Sequence, residues 1–231
     1  MNRSTRRPWA LCALMWCPAL AHSESQPIAE SAPTGYTQRL EAALLLQSLN
    51  AALLSQDSAT VTLQHWCDVH HLASPARITA ERVRETDKPL TPAQREQLQL
   101  TATDEVRYRK VRLRCGGIVL SEADNWYVPA RLTPEMNRQL ETTDTPFGVV
   151  VRPLHFQRHT LSAELLWQPM PAGWEMTPPA TEGWGKLCFP AHVLQHRAVL
   201  RLPDGTPISE VVETYSSNLF AIARFAPVTP C

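Results

Sequence analysis

Few of the motifs that identify common enzyme classes occur in this 231-residue sequence. No Gly-x-Ser-x-Gly turn is present, which argues against a hydrolase that carries a serine nucleophile on a strand-to-helix elbow. The pair Gly116-Gly117 is not followed by the lysine of a phosphate-binding loop, so a turn is the simpler interpretation. Internal repeats are also lacking. No motif in the chain therefore identifies it as a serine hydrolase, a phosphate-loop protein or a repeat array.

The N-terminus has the pattern of a secretory signal peptide. Three arginines within the first seven residues precede an apolar run over 9–20, and the small-x-small sequence Ala19-Leu20-Ala21 lies at the end of this run. This run is too short to remain as a membrane anchor. We predict a signal peptide over 1–21 that is cleaved near Ala21, a flexible leader over 22–35 without periodicity, and export to the periplasm.

An excess of either charge is lacking as well. The chain has 22 basic and 22 acidic residues, and the predicted signal peptide contains three of the basic ones and none of the acidic ones, so the mature chain carries a net charge of about −3. Such a balance does not favour nucleic acid as a partner. No later run of about 18 apolar residues occurs, so we expect no permanent membrane anchor.

Removal of the signal peptide leaves four of the six cysteines, which are Cys67, Cys115, Cys188 and Cys231. Their wide spacing does not resemble a zinc motif, and the three histidines close to Cys67 lack a second paired motif, so we predict no metal. Four cysteines in an oxidising compartment can form two disulfides in three different connectivities. We predict at least one disulfide, and the sequence leaves the connectivity open.

The remaining sequence, residues 36–231, predicts a single α+β domain in which helices pack on an antiparallel β-sheet. Apolar positions at helical spacing and Ser/Thr-Pro caps indicate helices at 36–54, 59–71, from 92 onward and at 133–141. Two-residue alternation indicates strands at 78–84, in a hairpin over 106–129, and at 149–155, 159–168, 192–202 and 206–215. The proline- and glycine-rich segment 169–190 is an irregular insertion, either a lid or a loop in solvent.

Two charged residues fall on the apolar side of predicted strands. Alternation places Arg109 with Val111 and Leu113, and it places Glu213 with Val211 and Tyr215. An inward cation and an inward anion need partners. Either they form a structural ion pair within the sheet, or they hold opposite ends of a small polar ligand.

The same segments resemble the chorismate lyase family (chorismate–pyruvate lyase), whose fold is shared by effector-binding domains of some bacterial transcription regulators. The likeness covers about residues 40 to 220 and rests on short motifs. These are Leu53 to Thr60, Tyr108-Arg109 through Val128-Pro129, Thr145-Pro146-Phe147-Gly148, Arg158, and Gly205-Thr206-Pro207 through Glu213. Where the family has a second arginine on the return strand of the hairpin, this chain has Asn125.

The resemblance implies a role for six residues. Arg109 would bind the ligand carboxylate, and Glu213 would lie at the hydroxyl at the opposite end of the ring as the catalytic residue. Arg158 would be a second anion contact, although a surface position is the plainer alternative. Phe147 and Gly148 would form the ligand wall, unless Phe147 is simply a core residue. Ala59 stands where the family has a larger side chain, which would widen the pocket.

The function implied by the resemblance is binding of a small aromatic or cyclohexadienyl carboxylate. If the chain is active, it would be a carbon–oxygen lyase that eliminates pyruvate from chorismate to give 4-hydroxybenzoate without a cofactor. The alternative is a non-catalytic periplasmic binding or accessory module that uses the same pocket. A secreted domain with a purely structural role is a third hypothesis.

Overall fold

The computed structural model describes residues 35–84, 87–176, 183–222, 225 and 228–231. The predicted signal peptide over 1–21, and all but the last residue of the predicted leader over 22–35, lie outside these residues. Among the helices in the described ranges, none is both long enough and apolar enough to cross a bilayer.

The described residues form helices and strands in an α+β order that begins with two helices. The α-helices are α1 (Gly35–Leu54), α2 (Ala59–Val69), α3 (Pro92–Gln97), α4 (Pro134–Thr142) and α5 (Phe147–Val150). The strands are β1 (Ile78–Val83), β2 (Arg107–Cys115), β3 (Ile118–Tyr127), β4 (Gln157–Leu165), β5 (His192–Arg201) and β6 (Pro207–Ser216). Short 3₁₀ turns occupy 129–131, 152–154, 174–176 and 217–220.

The strands form one six-stranded antiparallel sheet in the order β1-β2-β3-β6-β5-β4. Alternating apolar residues explain this arrangement, because every second side chain of the central strands is buried on the face that α1 and α2 cover. The predicted α+β class with an antiparallel sheet is confirmed.

The predicted strand at 149–155 is wrong. The segment instead forms α5 and the 3₁₀ turn at 152–154. The β-branched run Val149-Val150-Val151 favours a strand by composition, but the buried residues are Phe147, Val150 and Val151. Their spacing of three and four residues is helical, and it places all three against α4 in a shared apolar cluster.

The apolar core is divided into two parts with a gap between them. The larger cluster joins α1 and α2 to one end of the sheet, and the smaller joins α4 and α5 to the other end. Between the two clusters, the apolar side chains of the central strands are the small ones of Val111, Ala123, Ala198 and Val211. Because these side chains do not fill the space beneath the helices, a depression is left at the middle of the sheet.

Both possible disulfides are present. Cys67 on α2 is bonded to Cys115 at the end of β2, and Cys188 is bonded to Cys231. The prediction of at least one disulfide is confirmed, and of the three open connectivities the structure has this one. Two disulfides indicate folding in an oxidising compartment.

The described part of the 169–190 segment packs against α1. Arg39 donates hydrogen bonds to the carbonyls of Pro169 (3.0 Å) and Gly185 (3.3 Å), and the ring of Trp184 lies 5.6 Å from that of Tyr36. A separate cavity of about 310 Å³ lies between α1 and residues 165–175. These contacts hold the described residues of the segment against α1, and Leu187 and Phe189 belong to the larger apolar cluster.

Candidate functional site

A cavity of about 60 Å³ occupies the gap between the two apolar clusters. Its floor is the central sheet, and its walls are the start of α2, the start of α5 and the first residues of β4. The lining residues are Asp57, Ser58, Ala59, Thr60, Arg109, Val111, Leu113, Ala123, Asn125, Pro146, Phe147, Gly148, Phe156, Arg158, Leu200, Val211 and Glu213. All six residues singled out by the sequence therefore line one cavity, and none of the described residues of 169–190 does.

Arg109 is a buried cation at one end of the cavity, with 3% of its surface exposed. Its Nη2 donates hydrogen bonds to the backbone carbonyls of Thr143 (3.1 Å) and Thr145 (2.9 Å) in the loop between α4 and α5. A guanidinium has five N–H bonds. Within the residues that the structure describes, Nε and Nη1 have no hydrogen-bond partner.

Burial lowers the pKa of Arg109 to about 10, and the nearby guanidinium of Arg82 adds to this effect, whereas Tyr127 and Asp144 act against it. A pKa of about 10 still leaves the side chain protonated at neutral pH. Arg109 is therefore a desolvated positive charge, and it makes no ion pair with any carboxylate in the described part of the chain.

Glu213 is paired with Arg158 and not with Arg109. Nη2 of Arg158 lies 2.6 Å from Oε2 of Glu213, and the two side chains are 4% and 10% exposed. The hydroxyl of Tyr215 donates to the same oxygen at 3.2 Å. The alternative of an ion pair between Arg109 and Glu213 is wrong, because the Glu213 carboxylate is bound to Arg158, and Arg109 makes no ion pair among the described residues.

The sequence alternative of a surface position for Arg158 is also wrong. Burial lowers the pKa of Arg158, but the Glu213 carboxylate more than offsets this, so the pKa lies above its usual value. Burial also raises the pKa of Tyr215 well above its usual value, with a further contribution from Glu213. Tyr215 is therefore a hydrogen-bond donor at neutral pH, and the Arg158–Glu213–Tyr215 cluster closes one side of the cavity.

His196 belongs to this cluster, and the sequence analysis missed it. It is fully buried, it is the cross-strand partner of Glu213, and its Nε2 lies 2.8 Å from Oδ1 of Asn50. Burial, assisted by Arg158, lowers the pKa of His196 to about 4, although Glu213 acts in the opposite direction. Alternation along β5 could have found it, because His196 shares a face with Leu194 and Ala198.

Asp57 plays a different role from the one that its position before α2 suggests. Asp57-Ser58 reads as a helix cap, yet the Ser58 side chain makes no capping hydrogen bond. The Asp57 carboxylate instead accepts the backbone N–H of Arg158 at 3.0 Å. This contact ties the start of β4 to the loop before α2 and so positions the Arg158 side chain.

Phe147 and Gly148, which the resemblance places in a ligand wall, both line the cavity. Phe147 is 8% exposed and packs against Tyr127 at a ring distance of 5.6 Å, so it is both a core residue and a wall residue. A methyl group added to Gly148 would contact Oγ of Ser58 at 3.5 Å and Cζ of Phe156 at 3.8 Å. The wall near Gly148 is therefore closely packed, and no cluster of three metal-ligating side chains occurs among the described residues.

The fold and the cavity define an α+β domain in which a buried cation, Arg109, lines a cavity over the central sheet. No family model matches the chain. It is 52% identical over 184 residues to the uncharacterized protein y4mC of Sinorhizobium fredii, which covers 78% of this chain and 77% of the relative. The chain belongs to the same family as y4mC.

Solved structures with a weaker likeness are bacterial regulators. The effector domain of PhnF from Mycobacterium smegmatis has a TM-score of 0.44 and 11% identity, with 70% of this chain and 90% of that chain covered. The possible transcriptional regulator YydK from Bacillus subtilis has a TM-score of 0.38 and 14% identity, with 62% and 60% covered, so the chain spans less than two thirds of YydK. At these scores, the function of the regulators is not transferred to this chain.

Proposed function

We propose that this protein binds a small aromatic or cyclohexadienyl carboxylate in the cavity, with the carboxylate on Arg109. The observation that carries the proposal is the buried guanidinium of Arg109, whose Nε and Nη1 have no acceptor among the described residues. A buried cation without a partner is costly, and a ligand anion removes that cost. Hydrogen bonds between a guanidinium and a carboxylate are about twice as strong as neutral ones.

The remaining lining favours a ring. Val111, Ala123 and Val211 give the cavity an apolar floor, and Phe147 and Phe156 supply aromatic walls. The Arg158–Glu213–Tyr215 cluster offers polar groups on another side, where a ring hydroxyl could bind. A flat molecule with an anion at one end and an apolar body therefore matches the distribution of groups.

The size of the cavity implies that a wall moves when such a ligand enters. Its volume of about 60 Å³ is smaller than the roughly 150 Å³ of an apolar cavity that accommodates benzene. Phe147 lies on α5, a helix of only four residues, which makes this wall the easiest to displace. We expect binding to shift α5 and the two phenylalanine rings outward.

The test is titration calorimetry of the mature protein with benzoate and 4-hydroxybenzoate. Arg109→Ala is expected to weaken both affinities at least tenfold, because it removes the charge-assisted contact. Arg112→Ala is the matched control, since Arg112 lies on the opposite face of β2 and pairs with Glu122 (2.8 Å) outside the cavity. Equal affinity in wild type and Arg109→Ala would refute the proposal.

Elimination of pyruvate from chorismate is the second candidate function, and the position of Glu213 on the cavity wall supports it. In that reaction, the ring C–O bond to the enolpyruvyl group breaks, the ring loses a proton and becomes aromatic, and the products are 4-hydroxybenzoate and pyruvate. Glu213 would take part in the proton transfer, which typically contributes about 10²–10⁴-fold. Incubation with chorismate and an enzymatic pyruvate assay tests it, with Glu213→Gln as the inactive variant.

The binding module is the better supported of the two. Oε2 of Glu213 already accepts from Arg158 and from Tyr215, and these two contacts hold the carboxylate in a fixed position. A general acid or base needs a free path to the proton that it transfers. Tight binding of 4-hydroxybenzoate without pyruvate release would leave the binding module alone.

We further propose that the protein is exported to the periplasm after cleavage near Ala21. The signal-like order of residues over 1–21 and the two disulfides support this. The test is the intact mass of the protein recovered from a periplasmic extract of a Gram-negative host. A mass that includes residues 1–21 would contradict the proposal.

A further inference from the structure

Asn125 is a second lining residue with an unmet hydrogen-bonding requirement, and it is an acceptor rather than a donor. It is 4% exposed, and its Oδ1 has no partner within the described residues. Asn125 on β3 is the direct cross-strand partner of Arg109 on β2, and both side chains line the cavity. Side chains at such positions are about 5 Å apart at Cβ. A ligand that binds Arg109 therefore lies beside Asn125.

The buried charges of the cavity set the charge of that ligand. Arg109, Arg158 and Glu213 are the ionisable lining side chains that are themselves buried, whereas Asp57 is exposed. Glu213 compensates Arg158 at 2.6 Å, so one positive charge, that of Arg109, remains. A single carboxylate balances it. A second carboxylate would be desolvated next to Asn125, whose amide carries no charge to compensate it.

We infer that the cavity selects a ring monocarboxylate that carries an N–H or O–H donor on the atom next to the carboxylate-bearing carbon, and that Asn125 is the residue that recognises this donor. The inference rests on the proposed function, because it presupposes a carboxylate on Arg109. It adds the class of ligand: a monoanion with a neighbouring donor, of which 2-aminobenzoate is the simplest aromatic example.

An amino group satisfies the geometry better than a hydroxyl group. A hydroxyl next to a carboxylate has one hydrogen, and its own carboxylate competes for it. An amino group has two, so one N–H can point to the ligand carboxylate while the other donates to Oδ1 of Asn125. A neutral amine also keeps the ligand at one negative charge, which matches the single uncompensated cation.

The experiment compares four probes by titration calorimetry on the full mature protein: benzoate, 2-aminobenzoate, 3-aminobenzoate and the dianion phthalate. We expect 2-aminobenzoate to bind about tenfold more tightly than benzoate and 3-aminobenzoate, because it satisfies a buried acceptor. We expect phthalate to bind more weakly than benzoate. In Asn125→Leu, which keeps the branched shape of the side chain but replaces the amide with two methyl groups, the preference for 2-aminobenzoate over benzoate should disappear.

The outcomes separate this inference from the proposed function. If benzoate binds in an Arg109-dependent way but 2-aminobenzoate gains nothing, the inference is overturned and the proposed function stands. If phthalate binds more tightly than benzoate, the charge argument is overturned as well. If none of the four probes binds to the wild type, both proposals fail. Because the probe series is measured on the wild-type protein, the result does not depend on whether Asn125→Leu folds.

Discussion

At the scale of single residues, the site combines one buried cation that has no carboxylate partner among the described residues with one that forms an ion pair. Arg109 has free N–H groups within the described structure, and Arg158 is held by Glu213 with both side chains almost completely buried. A buried ion pair is costly to desolvate, so its net stabilisation is small, but removal of one member leaves an isolated buried charge. The pair therefore fixes the geometry of the cavity more than it stabilises the fold.

The first prediction at this scale concerns that pair. Arg158→Met is expected to lower the free energy of unfolding by about 3–5 kcal/mol, because Glu213 is left buried without its cationic partner. The double variant Arg158→Met with Glu213→Gln should recover part of the loss. Urea denaturation followed by tryptophan fluorescence measures both.

Arg138→Ala is the control for this prediction, because Arg138 pairs with Glu135 at 2.6 Å on the exposed surface of α4. It should leave the denaturation midpoint unchanged. If Arg158→Met behaves like Arg138→Ala, the Arg158–Glu213 pair does not exist as described.

His196 gives a second prediction, on pH dependence. Its pKa in the folded protein is about 4, below the ordinary value of 6.5, so the unfolded chain binds a proton at a pH where the folded protein does not. Stability that is present above about pH 6.5 is therefore lost as the pH falls towards 4. His196→Gln should show a flatter dependence of unfolding free energy on pH across this window.

Two carboxylates with a lowered pKa serve as the control for the pH profile of His196→Gln, because both are present in the wild type and in the variant. Hydrogen bonds from Thr101 lower the pKa of Asp104, and those from Thr206 lower the pKa of Asp204, so both titrate at lower pH in either protein. A wild type and a His196→Gln variant with identical pH profiles from pH 7 to 4 would contradict the assignment of His196 as buried and neutral.

Single residues also show what the sequence could establish about the site. Alternation alone placed Arg109 and Glu213 inward, because each shares a strand face with aliphatic neighbours, and the structure buries both. It could not place Arg158, since the other residues of β4 are exposed on both faces except Leu165 and give no inward face. The partner of Glu213 is Arg158, which reaches across β5. Such a contact leaves no periodic signal in the sequence.

At the scale of elements, the spacing of apolar residues predicted a helix or strand correctly where one face of the element is buried. It failed where a strand pattern and a helix pattern occur in the same residues. The predicted ranges of the hairpin β2–β3 and of the strands β5 and β6 match within a few residues, and burial along β2 alternates with a two-residue period. Residues 147–151 contain both a β-branched run and a three-and-four spacing. Packing against α4 decides between them, and that contact is not local in the sequence.

The edge strand β4 owes its position to specific contacts rather than to burial. It pairs with β5 on one side, its register shifts between Thr160 and Ser162, and the carboxylate of Asp57 holds its first residues. A shift of register at an edge also discourages pairing with another chain. The element that supplies Arg158 to the cavity is thus aligned by a loop between two helices, a relation that no strand pattern predicts.

At the scale of the whole molecule, two disulfides join parts of the chain that are distant in sequence. Cys67–Cys115 connects the helical layer to the sheet, with both residues fully buried, and Cys188–Cys231 fastens the end of the chain beside Phe189, which bridges Pro230. The first disulfide joins α2, whose start lines the cavity, to β2 of the sheet. The wall at α5 carries neither disulfide, consistent with the expectation that this wall moves when a ligand binds.

The disulfides give the last prediction. Each closes a loop of more than 40 residues, with separations of 48 and 43, so the chain-entropy model assigns each about 4 kcal/mol, and measured values are typically about 2–4 kcal/mol. Cys67→Ala with Cys115→Ala, and separately Cys188→Ala with Cys231→Ala, should each lower the urea midpoint under non-reducing conditions. A reductant should lower the wild-type midpoint further than either double variant alone, because it opens both loops. A thiol titration of the denatured, oxidised mature protein should find no free thiol among the four cysteines, and four reactive thiols, or a midpoint insensitive to reductant, would show that the fold is held without these bonds.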